Sequence, residues 1–186
     1  MNTTSRSLAC VVGLSTLAFA NQSFAADTNC KPLFDAITRL FNTPNHEYLA
    51  QTDAATGDTP MKSEIINSGA AIYIKVEGKW HTSNATAAEL QAQEEQNRKN
   101  AKITSCKVIK DDTVDGLAVT LYSAHTETEY GISNEQIWIA KNTGLPVRET
   151  IDMDLGQKGG KSRAEIHVVY VDVAAPVVAA PDTASK

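Results

Sequence analysis

Most of the patterns by which a sequence announces chemistry are missing from these 186 residues. There is no Gly-x-Ser-x-Gly elbow, no His-Glu-x-x-His, no Gly-x-Gly-x-x-Gly and no P-loop spacing. Their absence removes the common hydrolase, zinc-protease, dinucleotide and nucleotide signatures. The four histidines, His46, His81, His125 and His167, are scattered, so neither a metal site nor a catalytic histidine pair is expected. No cofactor-binding pattern is present. Basic residues are outnumbered 17 to 22 and form no patch interleaved with aromatics, which argues against nucleic acid. A net charge of −5 also gives no attraction to an anionic membrane surface. The apolar run Leu8 to Phe19 is short of the roughly 20 residues that span a bilayer.

What that run does fit is a secretory leader over residues 1–25. Arg6 is its only charge, and Ser23-Phe24-Ala25 is a small-x-small cleavage site, so the mature chain is expected to start at Ala26. Ala18-Phe19-Ala20 is a second site of the same type, less well placed because Asn21-Gln22-Ser23 supplies the polar stretch before cleavage. Ser7-Leu8-Ala9-Cys10 only half matches a lipobox, and lipidation is not expected. The mature chain carries no further segment long enough to cross a membrane. A periplasmic or secreted location follows.

Of the three cysteines, Cys30 and Cys106 remain after the leader. In an oxidising compartment an even count favours a disulfide. Such a bridge closes a loop of about 77 residues, for which the chain-entropy model gives roughly 4–4.5 kcal/mol.

Residues 26–173 read as one domain. A helix over about 31–42 has Pro32 in its first turn, and Leu33, Ile37, Leu40 and Phe41 share one face beside Phe34. Pro44 ends it. Period-two alternation then marks strands at Tyr48–Asp53, Met61–Ser68 and Ala70–Val76, with Glu77-Gly78 turning into Lys79-Trp80-His81-Thr82. Thr86-Ala87-Ala88-Glu89 is a capping box, and the helix it starts runs to about Asn100 with Leu90 as its single large apolar residue. Ile103–Lys110 and Leu117–Thr126 form a hairpin around Asp115-Gly116. Gln136–Ala140 turns through Asn142-Thr143-Gly144 into a strand with Leu145, Val147, Ile151, Met153 and Leu155 on one face, broken only by Glu149. A last strand covers Ala164–Val173, and residues 174–186 read as a disordered tail.

Asp152-Met153-Asp154 resembles a calcium loop only in part, because the twelfth position would be Arg163, and it is read as strand. Asn84-Ala85-Thr86 is a glycosylation triplet that also fits a helix start. The strand around Trp138 is apolar on both faces, as is the final strand. Either both faces are covered by a filled core, or the sheet curls around a ligand-holding interior. Aromatic residues of the strands, Trp80, Trp138, Tyr73 and Tyr122, are the candidate ligand contacts.

The stretch Gln136-Ile137-Trp138-Ile139 followed by Thr143-Gly144-Leu145-Pro146-Val147-Arg148 is similar to the tryptophan strand and Gly-Leu-Pro turn of the periplasmic lipoprotein-carrier (LolA-like) superfamily, and so is Gly78-Lys79-Trp80. The order of an amphipathic helix, strands, a mid-chain helix and more strands resembles that family too. The resemblance implies an α+β fold, a strongly curved antiparallel half-barrel with apolar side chains on its concave face and helices partly covering it. It implies no enzyme, but a carrier or sensor of lipid-linked molecules in the bacterial envelope. Arg39 and Arg148 are both candidates for the carrier's latch arginine, and the Cys30–Cys106 pair is a departure from the carrier proper.

Three readings follow. One is a non-enzymatic binding protein holding an apolar or lipid-like small molecule on the concave face. Another is an envelope interaction or sensor module with a filled core and a protein partner. The last is a cone-shaped hydrolase or isomerase, for which the interior candidates are Glu149, Asp152 and His125.

Overall fold

The computed structural model describes residues 28–53, 57, 59–156 and 160–178. The leader, its cleavage point at Ala25 and Ala26, and residues 179–186 of the expected tail lie outside them. Residues 174–178 carry no helix or strand.

A short 3-10 turn, Thr28–Cys30, leads into helix α1, Lys31–Asn42. Pro32 occupies its start, where the missing N–H leaves no hydrogen bond unmade. Leu33 and Ala36 are its buried face. Its C-terminal carbonyls are satisfied from outside the helix. Asn45 Nδ2 donates to Leu40 O and Thr43 O, both at 2.9 Å, and Asn67 Nδ2 donates to Phe41 O at 3.0 Å.

Nine strands follow: β1 Asn45–Asp53, β2 Met61–Asn67, β3 Ile72–Val76, β4 Lys79–Thr82, β5 Ile103–Val114, β6 Leu117–Glu127, β7 Ile132–Ala140, β8 Pro146–Asp154 and β9 Lys161–Val169. Helix α2, Ala87–Asn100, lies between β4 and β5. All nine strands form one antiparallel sheet in the order β4-β3-β2-β1-β9-β8-β7-β6-β5. Two meanders are thus joined where the last strand returns to the first, with His46 opposite Val169 and Asp53 opposite Ser162. β4 and β5 stand at opposite ends of the order, so the sheet is open. The fold is α+β, a curved antiparallel half-barrel with two helices.

Tight turns set the register locally. Glu77 and Asp115 each take positive φ before a glycine that does the same, the two-residue hairpin geometry whose twist matches the strands. Gly144 has φ +69°, and a Cβ there would come within 2.8 Å of Arg39 Nη1. That guanidinium donates to Thr143 O at 2.9 Å, so the turn is pinned to α1.

Several strand limits differ from the alternation pattern, β3 starting at Ile72, β7 at Ile132 and β9 at Lys161 among them, and three further differences have a visible cause. β1 starts at Asn45, because Asn45 pairs with Asn67 and both amides serve the end of α1. β5 runs on to Val114 through a bulge between Val108 and Lys110, its polar residues held by Asp111 to Lys141 at 2.6 Å and by the Asp111–Thr120 bond at 3.2 Å. β9 stops at Val169, and Tyr170 then donates its hydroxyl to Pro146 O at 2.6 Å.

Both faces of the sheet are covered around β7, which explains its apolar character on either side. Ile137 and Ile139 pack with Leu33, Ala36, Cys106 and Ala124 beneath α1, with Phe34, Ile37 and Tyr122 around them. On the outer face Trp138 and Ala140 pack with Val119, Leu121 and Val147, closed over by Val114 and Tyr170. The β5–β6 turn bends across that face far enough for Asp115 Oδ2 to meet His167 Nε2 at 3.0 Å. Cys30 and Cys106 are bonded, tying the start of α1 to β5.

α2 is held differently. None of its residues is buried, and it leans on α1 through Asn42 Nδ2 to Gln91 Oε1 at 3.1 Å and through Arg98, whose guanidinium carbon lies 4.6 Å from the Phe34 ring centre. Its stability therefore rests on its ends. Thr86 Oγ1 accepts from Glu89 N at 3.2 Å, and the Glu89 carboxylate accepts from Thr86 N at 2.8 Å. Thr86→Ala is expected to cost about 1 kcal/mol, most of it local to this helix. Amide exchange should speed up over residues 87–100 and change little in the sheet. Uniform acceleration throughout the chain would contradict this view of α2.

Candidate functional site

The break at Glu149 in the apolar pattern of β8 leads to the site. Glu149 stands opposite Ile137 on one neighbouring strand and Ile166 on the other. Directly paired residues share a face, so Glu149 points to the helix-covered side with Ile137. Glu135 lies two residues before Ile137, opposite Ala124 and Ile151. Glu47 on β1 is opposite Ile65 and Val168, again on the inner face. Glu94 approaches from α2. Three of these carboxylates thus cross the inner face on a diagonal among Ile137, Ile151 and Ile166.

Between this face and the helices is a cleft of about 660 Å³. Leu33, Phe34 and Ile37 of α1, Glu94 and Arg98 of α2, and Glu135 of the sheet are among its walls. α2 rests on α1 rather than on the sheet, and the cleft is the space this leaves.

Burial governs the titration of these carboxyls. Glu149 is pushed up to about 8, first by loss of hydration and then by the charges of Glu135, Glu47 and Glu94. Burial pushes Glu47 up to about 7. Glu135 is raised by burial, against a hydrogen bond from Ser133 Oγ at 2.9 Å. Glu94 is raised by burial and by Glu135, against the charge of Arg98 and a hydrogen bond from Asn97. All four side chains are only half-buried by accessible surface. Among the described residues neither Glu47 nor Glu149 has a hydrogen-bond or ion-pair partner.

Glu149, Asp152 and His125 do not converge. Asp152 accepts from Arg163 Nη1 at 2.9 and 3.0 Å. His125, raised by its bonds to Asn134 and then Glu127, sits with Asn134 on the outer face, opposite in sense to Ala124. Asp152-Met153-Asp154 is strand. Among the described residues no group of three His, Cys, Asp or Glu is placed to hold a metal ion.

The four aromatic candidates divide between the faces. Tyr122 is opposite Ile137 and packs on the inner core. Trp138 is opposite Leu121 and Arg148 on the outer face, with the Arg148 guanidinium carbon 5.1 Å from its ring and Asp112 Oδ2 3.5 Å from its Nε1. Trp80 and Tyr73 are also outside. Trp80 is paired with Lys75, whose ammonium lies 5.5 Å from the indole, and Tyr73 is paired with Ile66. Of the two latch candidates, Arg39 holds the β7–β8 turn and Arg148 covers Trp138.

Sequence reasoning passed over Glu47, Glu94 and Glu135. Glu47 occupies an alternate position between Asn45 and Leu49, and Glu135 lies in the polar start of β7, so neither interrupts an obvious apolar run. Only the β1–β9–β8–β7 register puts them in line with Glu149.

No protein-family model matches the chain, and no curated protein matches it significantly. This chain is similar in general layout to several bacterial proteins of known structure. The lipoprotein LppX of Mycobacterium tuberculosis aligns at 13% identity and a TM-score of 0.45, covering 80% of this chain and all of LppX. MucB of Pseudomonas aeruginosa, solved with MucA, aligns at 13% identity and a TM-score of 0.41 over 81% of this chain and 59% of its own. A LolA superfamily protein from Nitrosomonas europaea aligns at 7% identity and a TM-score of 0.29, over 77% of this chain and 92% of its own. At such scores the likeness is one of general layout, and the site has to be read from its own residues.

Proposed function

We propose that the chain is exported and serves as a non-enzymatic binding protein, holding an apolar or amphiphilic small molecule on the inner face of the half-barrel beneath α1 and α2. The observation that carries this reading is the 660 Å³ cleft walled by Leu33, Phe34 and Ile37 of α1 and by a second helix that buries none of its own residues. Its size falls within the roughly 300–1,000 Å³ of small-molecule sites. Export fits a bonded Cys30–Cys106 pair, since such bonds persist in oxidising compartments. In this reading none of the four aromatic candidates lines the cleft: Trp80, Trp138 and Tyr73 are on the outer face, and Tyr122 lines a separate recess beside Arg39.

The placement of the indoles decides how binding is measured. Both native tryptophans are on the outer face, so their emission is expected to stay constant during titration with dodecanol or lysophospholipid. Phe34→Trp puts a reporter on the cleft wall and keeps a ring under Arg98. Its emission should shift to the blue, saturably, as the chain of the ligand replaces water. Protein purified from the envelope should show added mass in native mass spectrometry. A flat titration of Phe34→Trp together with no added mass would instead support the interaction module with a filled core.

A further inference from the structure

We propose that the free edge of β5, from Lys107 to Asp111, is a docking strand that takes an extended acidic segment of a partner protein as a further strand of the sheet. It is independent of the cleft and of what the cleft holds.

The first argument is the edge itself. β5 ends the sheet order and is paired on one side only, with β6. It has 12 residues, against 4 in β4 at the other end. Among the described residues no turn or loop bonds its backbone to β5. A row of unpaired N–H and C=O groups is a template for another strand. Lys107, Val108, Ile109, Lys110 and Asp111 are exposed in succession. Val108 keeps 65% of its surface and Ile109 51%, so a strand laid alongside covers apolar area as well as backbone. The bulge between Val108 and Lys110 leaves Ile109 opposite no residue of β6. Cys106, bonded to Cys30, anchors the strand one residue before this stretch, so little ordering is needed on docking.

The second argument is charge. Lys107 is opposite Ser123 and Lys110 opposite Leu121, so both lysines stand on the outer face, while Val108, opposite Tyr122, stands on the inner one. The acids of this stretch are engaged. Asp111 has Lys141 at 2.6 Å and Thr120 at 3.2 Å, and Asp112 has Thr113 N at 2.9 Å and Lys110 at 3.1 Å. Lys107 has no partner among the described residues. In a chain of net charge −5, the uncompensated charge on this edge is therefore positive. A strand with acidic side chains outward and apolar side chains inward meets Lys107 and Lys110 on one face and Val108 on the other. A second copy of β5 would bring the same lysines with its acids already engaged, and like charges facing each other oppose that pairing.

NMR titration of the oxidised mature chain tests this, with a short capped peptide of alternating glutamate and valine and its lysine–valine counterpart as probes. The glutamate peptide should shift the amide signals of residues 107–111 saturably. The lysine peptide should bind roughly tenfold weaker at low salt, because two lysines attract one probe and repel the other. Added salt should narrow the gap. Lys107→Glu with Lys110→Glu should reverse the preference, and its spectrum away from β5 reports that the variant is folded. N-methylation of alternate peptide residues separates strand addition from charge alone. Blocking one set of amides should abolish binding and blocking the other should spare it, because only one set faces β5. Equal binding of the two peptides, an equal effect of the two methylations, or a preference that survives in the double variant would overturn the proposal. So would absence of shifts at β5, shifts centred on the cleft instead, or concentration-dependent shifts at β5 without peptide, which would assign the edge to a second copy.

Discussion

Reducing the Cys30–Cys106 bond is expected to lower the unfolding free energy by about 4 kcal/mol, a large share of the roughly 5–15 kcal/mol that a domain has. The two cysteines are 76 positions apart in sequence, so the bridge removes a long loop's worth of freedom from the unfolded chain. The chain-entropy model gives about 4.5 kcal/mol for a loop of this length, an upper figure because unfolded chains keep some order. The folded state gives little reason for a discount. Both cysteines are buried within the core under α1, next to Leu33, Ala36 and Ile137. The bridge is also the covalent link between α1 and the far edge strand β5. Urea unfolding with and without reductant measures the effect. The midpoint should fall steeply and the slope should rise, because the reduced unfolded chain exposes more surface. Cys30→Ala with Cys106→Ala should fall at least as far, since two fully enclosed side chains are trimmed as well. An unchanged midpoint on reduction would mean that the sheet and α1 hold together without the bond.

The helices and tight turns were legible because their signals are local. Pro32 with the apolar face of Leu33 and Ile37 placed α1, and Thr86 with Glu89 placed the start of α2. Glu77-Gly78 and Asp115-Gly116 supply the positive φ that their hairpins need. The pairing of β1 with β9 is a different matter. It joins residues more than a hundred positions apart, and no short pattern encodes it. The same holds for Asp115 meeting His167, which covers the outer face of β7. Ile137 and Trp138 showed that the strand is apolar on both faces, but not whether a filled core or a ligand-holding interior lies against them. Of the inner-face carboxyls a single one was legible. Glu149 broke an apolar face in the sequence, whereas Glu47 and Glu135 looked like ordinary strand polar residues until the register aligned them.

That alignment leads to an unusual dependence on pH. Stability is expected to fall as pH rises from about 5 to about 8.5, a range in which an ordinary acidic domain changes little. A carboxyl raised in the folded state binds its proton more tightly there than in the unfolded chain. Its contribution is fully present below 4.5, its ordinary value, and is lost progressively as pH climbs through the folded value of about 8 for Glu149 and about 7 for Glu47. Glu135 and Glu94 move in the same direction. Each tenfold gain in proton affinity corresponds to about 1.4 kcal/mol, so Glu149 alone gives a loss on the order of 4 kcal/mol. The four carboxyls together lose less than the sum of their separate contributions, because each one that stays protonated relieves its neighbours. Carboxyls held low by partners, such as Glu64 beside Lys75 and Asp111 beside Lys141, act below pH 4.5 and leave this window clear. His125 is raised and contributes in the same sense, so wild type alone does not isolate the interior. Glu149→Gln does. The neutral amide keeps the shape, removes the charge and should flatten the profile above pH 6, making the variant more stable than wild type at pH 8 by a few kcal/mol. Urea midpoints at pH 5, 6.5 and 8 for both proteins decide the matter. Parallel profiles, or a variant less stable at pH 8, would show that Glu149 is ionised without cost and has a partner of its own in solution.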